Sequence, residues 1–179
     1  MVEIKKILHN KIYYYEQLDS TDLKALELAK QGAAEGTIVI AARQTAGRGR
    51  MRRKWESPEG KGLWFSMILR PTIASEYCAQ ITLLTAVAVV KALQVLTDKN
   101  FSIKWPNDIM LDGKKVCGIL AEMALAADGS IEYVVVGIGI NINMSSEDFG
   151  AQLKATATSL YLATGIEYEH EQVLKALLD

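Results

Sequence analysis

Alternation and periodicity divide the chain into short strands and a few helices. Lys11 to Gln17 carries Ile12, Tyr13, Tyr14 and Tyr15, a β-prone run suited to an edge strand. Ser20-Thr21 then precedes Asp22 to Lys30, which is amphipathic at helical spacing and closed by Gly32. Ser20 and Thr21 read first as an N-cap with its neighbour, and a helix start that gathers free N–H groups also suits a polar ligand. Thr37 to Ala42 is an unbroken apolar run, the pattern of a buried strand, and Leu63 to Leu69 is another, stopped by Pro71. Ser75 is expected to cap a long helix reaching about Leu96. From Ala79 to Val90 that helix is apolar on every face, which predicts a central, buried position.

The second half reads as hairpins. Asp108 to Leu111 and Lys115 to Leu120 flank Asp112-Gly113, and Ala127-Asp128-Gly129 turns the chain into Ile131 to Asn143. Three antiparallel strands therefore follow in sequence. Beyond Asn143 the pattern weakens: Thr158-Ser159-Leu160 starts a short helix ended by Gly165, and Glu169 to Leu178 is a further helix.

Composition narrows the class. A chain of 179 residues, half of them hydrophobic and 23% charged, reads as one soluble domain over 1–179. Met1 to Asn10 lacks the pattern of a signal peptide, and the longest apolar run, around Ala86 to Val90, is far short of a membrane span. Cys78 and Cys117 sit in hydrophobic segments without a partner motif, and His9 and His170 are isolated near the two ends. That pattern offers no zinc site and no nucleophile–base dyad. The expectation is a cytoplasmic protein, with no membrane partner, whose chemistry uses Lys, Arg, Asn and Asp.

Three stretches carry that chemistry. The first is Gln44-Thr45-Ala46-Gly47-Arg48-Gly49-Arg50-Met51-Arg52-Arg53-Lys54-Trp55, in which five of the eight residues from Arg48 are cationic. Glycine lets backbone N–H groups approach a ligand, and arginine forks suit carboxylate and phosphate oxygens. A solvated basic loop touching nucleic acid is the plainer reading. However, the net charge of −1 makes the basicity local and favours a small anion over nucleic acid. The second stretch is Lys104-Trp105-Pro106-Asn107-Asp108. Its proline ends an extended segment and sets Asn107 and Asp108 at the mouth of a sheet, as a plain turn or as groups handling Mg²⁺ or a ribose. The third is Gly137-Ile138-Gly139-Ile140-Asn141. It closes a strand without opening a helix and lacks a third glycine, so it is not a dinucleotide fingerprint; its alternating glycines leave floor space beneath a ligand.

Taken in order with Ser20-Thr21, Gln44 and Lys115-Val116-Cys117-Gly118-Ile119-Leu120, these motifs resemble the catalytic domain of biotin–protein ligases from about Ile12 to Leu178. The resemblance implies an α/β (α+β) domain with a mixed, largely antiparallel sheet flanked by helices. It implies a two-step reaction with ATP and Mg²⁺: biotin becomes biotinyl-5′-AMP, then passes to one lysine of a biotin carboxyl carrier protein. Carried over by position, Ser20, Thr21, Asp22, Gln44, Gly47, Arg48, Gly49, Arg50, Lys115 and Gly118 match the biotin site. Arg50, Arg53, Trp55, Asn107, Lys115 and Asn141 match the nucleotide site, with Asp108 as the candidate Mg²⁺ ligand. Lys115, Arg50, Asp108 and Asn107 are the expected catalytic set. Asp22 stands where members often have Asn. The chain is expected to lack the DNA-binding helix-turn-helix and small C-terminal β-barrel found in members, and so to bind no nucleic acid; the resemblance leaves room for a homodimer. Rival readings are a lipoate or octanoate ligase or transferase, and a biotin-binding module with impaired catalysis.

Overall fold

The computed structural model describes residues 2–7 and 10–179, with side chains from Lys11 onward. His9 lies outside the described residues. Eight strands, β1 (Val2–Ile7), β2 (Asn10–Leu18), β3 (Ile38–Gln44), β4 (Gly62–Leu69), β5 (Phe101–Lys104), β6 (Asp108–Leu111), β7 (Lys114–Leu125) and β8 (Ile131–Asn141), form one sheet. Its order is β1-β2-β3-β4-β8-β7-β6-β5. The β2–β3 pair is parallel and is connected through α1 (Thr21–Lys30); the other pairs are antiparallel. The remaining helices are α2 (Cys78–Thr97), α3 (Leu160–Thr164) and α4 (His170–Leu178). This is the expected mixed, largely antiparallel sheet.

Period-two alternation sorts the strands into two faces. Ile38, Ile40, Leu63, Phe65, Ile109, Leu111, Cys117, Ile119, Val134, Val136, Ile138 and Ile140 point to one face, where α2 and α4 add Ile81, Val89, Leu93, Val173 and Leu174 to the main core. Val39, Ile68, Tyr133 and Val135 point to the other face and pack on Ala25 and Ala29 of α1. Helix α1 covers only one end of this second face. Toward the other end the positions in register are Ser66, Gly118, Gly137, Gly139 and Asn141.

Four expectations change. The strand over Lys11 to Gln17 is not an edge, because β1 pairs outside it, antiparallel from Val2↔Tyr15 to Ile7↔Asn10. Alternating charges in the sequence of β1 hid it, and such charges suit an edge strand. Ser75 does not cap α2: a 3₁₀ turn over Ser75–Tyr77 leads into it, and its N-cap is Tyr77. Helix α2 is also not buried all round. Ile81, Ala86, Val89 and Leu93 enter the core, while Leu84 is 66% and Val95 86% exposed. By length and composition Ser75–Thr97 is apolar enough to cross a membrane, contrary to the reading of its shorter runs.

The turns behave as their residues require. Asp112 and Gly113 both take positive φ, 50° and 75°, the two-residue hairpin that Asp-Gly favours. Ser159 caps α3 by accepting from the Leu162 N–H at 3.0 Å, and Gly165 ends it at φ 73°.

Candidate active site

Two adjoining cavities open on the α1 face, of about 40 Å³ and about 570 Å³. Thr21, Asp22, Gln44, Arg48 and Gly118 line the first, and Arg53, Asp108, Asn141, Met144, Phe149 and Leu153 line the second. Gly49, Arg50, Trp55, Asn107 and Lys115 line both. They form the junction.

The first cavity is organised by polar groups at the start of α1. Gln44 Oε1 accepts from the Thr21 N–H at 2.8 Å, and Gln44 Nε2 donates to Ser57 Oγ at 2.8 Å. Both ends of the Gln44 amide are therefore fixed by the protein. Ser66 Oγ lies 2.7 Å from Asp22 Oδ1 and 2.9 Å from Thr21 Oγ1. Asp22 is buried, and desolvation pushes its pKa up to about 6 against the lowering effect of the Ser66 hydrogen bond and of Arg48. The Ser20 hydroxyl is buried without a hydrogen-bond partner and makes no side-chain cap, so the expected capping bond is absent. Ser20 does not itself line either cavity.

The basic loop runs from Gly47 to Trp55 as a tight excursion. Gly49 N donates to Arg53 O at 2.8 Å and Trp55 N to Gly47 O at 2.9 Å. Gly47 lies outside both cavities; a Cβ there would meet the Trp55 carbonyl oxygen, so its glycine serves loop closure. Met51 and Arg52 hold positive φ, 56° and 60°, a left-handed conformation that is costly for side-chain-bearing residues. Arg48 is clamped, its Nη1 and Nη2 donating to both Glu122 oxygens at 2.7 and 2.6 Å. That bidentate hydrogen bonding pushes the guanidinium pKa still higher. Arg50 is exposed and held by one bond, Nη1 to Asn107 Oδ1 at 3.2 Å.

Lys115 reaches the junction through a break in register. Met110 pairs with Lys115 but Ile109 pairs with Cys117, so β7 carries an extra residue, Val116. Without that bulge Lys115 would share the core face with Cys117 and Ile119. With it, Val116 and Cys117 are both fully buried and Lys115 lies over Gly118 on the site face, where a Cβ would meet Nζ at 3.1 Å. Lys115 Nζ is 2.6 Å from Asp108 Oδ1 and 5.1 Å from the centre of the Trp55 ring. Asn107 is tied to β7, donating from Nδ2 to Ile119 O at 3.0 Å. Asn141 donates to Thr158 O at 2.9 Å and so holds the wall of the second cavity.

The glycine floor differs in one respect from the expectation. Space above Gly137 is taken by the Asp22 carboxylate, and space above Gly118 and Gly139 by the Trp55 indole, whose Nε1 is buried without a partner. The glycines make room for three protein side chains, Asp22, Trp55 and Lys115, that themselves face the ligand space. Among the described residues no three His, Cys, Asp or Glu side chains cluster as a metal cage. Cys78 and Cys117 are buried free thiols, and burial pushes both pKa values up.

Of the residues singled out in sequence, Thr21, Asp22, Gln44, Arg48, Gly49, Arg50, Arg53, Trp55, Asn107, Asp108, Lys115, Gly118 and Asn141 meet around the two cavities. Missed were Glu122, Ser66 and the segment from Met144 to Ala157. Ser66 did leave a signal, a hydroxyl within the apolar run Leu63 to Leu69. The 144–157 segment has no periodicity to read. It is placed by backbone bonds, Lys115 N to Thr156 O and Thr158 N to Lys115 O, both 2.8 Å.

Comparison with known proteins identifies the family. A sequence profile of the biotin/lipoate A/B protein ligase family matches residues 14–141. The bifunctional ligase/repressor BirA of Bacillus subtilis is 46% identical over 173 residues, 97% of this chain and 53% of that protein. The biotin–[acetyl-CoA-carboxylase] ligase of Paracoccus denitrificans is 36% identical over 162 residues, 89% of this chain and 66% of that protein. The biotin protein ligase of Aquifex aeolicus, solved in complex with biotin and ATP, has a TM-score of 0.80 at 38% identity, over 93% of this chain and 66% of that one. The chain spans about half the length of the BirA proteins it matches.

Proposed function

The chain belongs to the biotin/lipoate A/B protein ligase family, and on that premise we propose that it carries the catalytic centre of a biotin–protein ligase. It activates biotin with ATP to biotinyl-5′-AMP and passes the biotinyl group to a lysine of a biotin carboxyl carrier protein. One observation supports this above the others: Lys115, Arg50 and Asn107 line both cavities at their junction. A carboxylate from the first cavity must meet a phosphate from the second there, and two cations are already in place.

The polar residues of the first cavity, Thr21, Asp22 and Gln44, suit a ureido ring, whose N–H groups and carbonyl need acceptors and donors in fixed directions. The acid tail then points to Lys115. Attack of the carboxylate oxygen on the α-phosphorus forms the acyl–phosphate bond and expels pyrophosphate. Charge gathers on the phosphorus oxygens as this happens, and Lys115 and Arg50 stand where it develops. Catalysis is then mainly positioning and electrostatics, which needs no protein nucleophile. In the second step the acceptor amine attacks the carbonyl, and AMP leaves with the bonding electrons. A loop closed over the first cavity keeps water from the mixed anhydride.

Mg²⁺ bound with the triphosphate supplies charge neutralisation on its oxygens. Mg²⁺ is commonly held by one or two carboxylates together with phosphate oxygens and water. Asp108, which lines the second cavity and is paired to Lys115, fits a metal arriving with the nucleotide. The buried free thiols Cys78 and Cys117 agree with a reducing, cytoplasmic setting.

The test is incubation with ATP, Mg²⁺ and biotin, scoring biotinyl-5′-AMP separately from transfer to a carrier domain. Lipoate and octanoate serve as competing acids. Adenylate formed from biotin supports the reading; adenylate formed from lipoate or octanoate in preference overturns it.

A further inference from the structure

Ser66 interrupts the apolar sequence of β4 and is fully buried. Its hydroxyl touches Asp22 Oδ1 at 2.7 Å and Thr21 Oγ1 at 2.9 Å. A hydroxyl has one hydrogen, so Ser66 donates to one of these neighbours and accepts from the other. Asp22 decides which. When Asp22 is ionised, Ser66 donates to the carboxylate and accepts from the Thr21 hydroxyl. Thr21 then presents a lone pair to the first cavity, and Gln44 Oε1 is served by the Thr21 backbone N–H at 2.8 Å. When Asp22 is neutral, its own proton goes to Ser66, Ser66 donates to Thr21, and the Thr21 hydroxyl points to Gln44 Oε1 at 3.2 Å or into the cavity. One proton reverses the two bonds that Ser66 makes, while Gln44 Oε1 stays an acceptor throughout.

We propose that Asp22 is a specificity residue of this site. Its charge sets the direction of the Asp22–Ser66–Thr21 hydrogen-bond chain, and the ionised form takes a cyclic urea through the urea's N–H groups. The inference rests on the ligase reading above and names the part of the ligand that Asp22 reads. A dithiolane ring or plain acyl tail has no N–H to offer. Binding one would leave the buried Asp22 carboxylate with no ligand donor beyond the Ser66 hydroxyl, and a lone pair on Thr21 unserved, a mismatch that discriminates between similar ligands. In this chain, where Asp22 replaces the Asn that members often have, that mismatch weighs against acids lacking a ring N–H.

The surroundings leave Asp22 free to act this way. The charged groups facing it are Arg48, from the loop after β3, and Glu122, from β7, and these are clamped to each other at 2.6–2.7 Å. Strand β4 presents Ser66, and β8 presents Gly137, where any side chain would collide with the Asp22 carboxylate. Neither of those is ionisable. Burial places the titration of the ligand-free protein at about 6, inside the range in which binding is easily measured.

The experiment is calorimetric titration with biotin, and with biotinamide to remove the ligand's own carboxyl, from about pH 5 to 8. A ligand that needs ionised Asp22 loses affinity as pH falls through the pKa of the free protein. Wild type is expected to bind both probes about tenfold more weakly at pH 5 than at pH 7, and Asp22→Asn to show no such slope. Ser66→Ala removes the donor that holds the carboxyl down, so it should keep the slope and move its midpoint to higher pH; a merely structural Ser66 would leave the midpoint in place. Lipoate should bind Asp22→Asn better relative to biotin than it binds wild type. A flat wild-type profile, or an equal slope in Asp22→Asn, overturns the inference while leaving the ligase reading intact. Absence of biotin binding at every pH in a protein that melts cooperatively overturns both.

Discussion

Replacing Lys115 by alanine separates a catalytic role from a structural one. In the folded protein Lys115 Nζ is 2.6 Å from Asp108 Oδ1, and the two side chains are 30% and 25% exposed. A pair this close to solvent contributes about 1 kcal/mol, and the Trp55 ring contact about 0.5–1 kcal/mol more. Stability should therefore fall by about 1.5–2 kcal/mol, or about 3–8 °C in Tm for a domain of this size. Against a total of about 5–15 kcal/mol the fold survives. Removing a cation aimed at developing phosphate charge should raise the barrier by about 2–4 kcal/mol, a loss of about 30- to 1000-fold in adenylate formation. The assay pairs a thermal melt with pyrophosphate release under ATP, Mg²⁺ and biotin. A folded Lys115→Ala protein with near-wild-type adenylate synthesis would refute the assignment.

Three other outcomes follow from the geometry. Arg50 is exposed and tied by one 3.2 Å bond to Asn107, so it is available to hold the finished adenylate. Arg50→Gly should make biotinyl-5′-AMP more slowly, with Lys115 still in place, and release it about 10- to 150-fold sooner, the worth of lost charge-assisted hydrogen bonds. Raised labelling of an unrelated lysine-rich protein is the readout, and unchanged labelling with adenylate still formed removes Arg50 from retention. The loop from Arg48 to Trp55 combines mutual repulsion with left-handed Met51 and Arg52, so its amides should gain hydrogen-exchange protection when biotin is added. Equal protection in both states would argue against closure. For Asp22, burial raises the folded pKa to about 6, well above the ordinary carboxylate value of 3.8. Its raised pKa favours the fold below about pH 4 and weakens it as pH rises through 6. Asp22→Asn should therefore stabilise the ligand-free protein near pH 7 by up to about 3 kcal/mol, with the gain gone near pH 4. Urea melts at the two pH values test this, and an equal difference at both would contradict it.

What the sequence by itself determined is local. Hydrophobic period, Asp-Gly turns, Gly32, Gly165 and the Thr158-Ser159-Leu160 start placed α1, α3, α4 and strands β2, β3, β4, β6 and β8 within a few residues, because each signal acts within one turn or one pleat. The basic loop, Asn107-Asp108 and the alternation of Gly137 and Gly139 stood out for the same reason: residue types unusual for a core, spaced so as to share a face. Tertiary structure decided the rest. Helix α2 looks buried by composition, but burial depends on which neighbours exist, and none of the described residues covers Leu84 and Val95. Lys115 would face the core by alternation, and the bulge at Val116 turns it to the site. Glu122 meets Arg48 from 74 residues away, and Ser66 meets Asp22 from 44. Such pairings carry no short-range signature, since they are set by strand order and register, which are properties of the whole sheet.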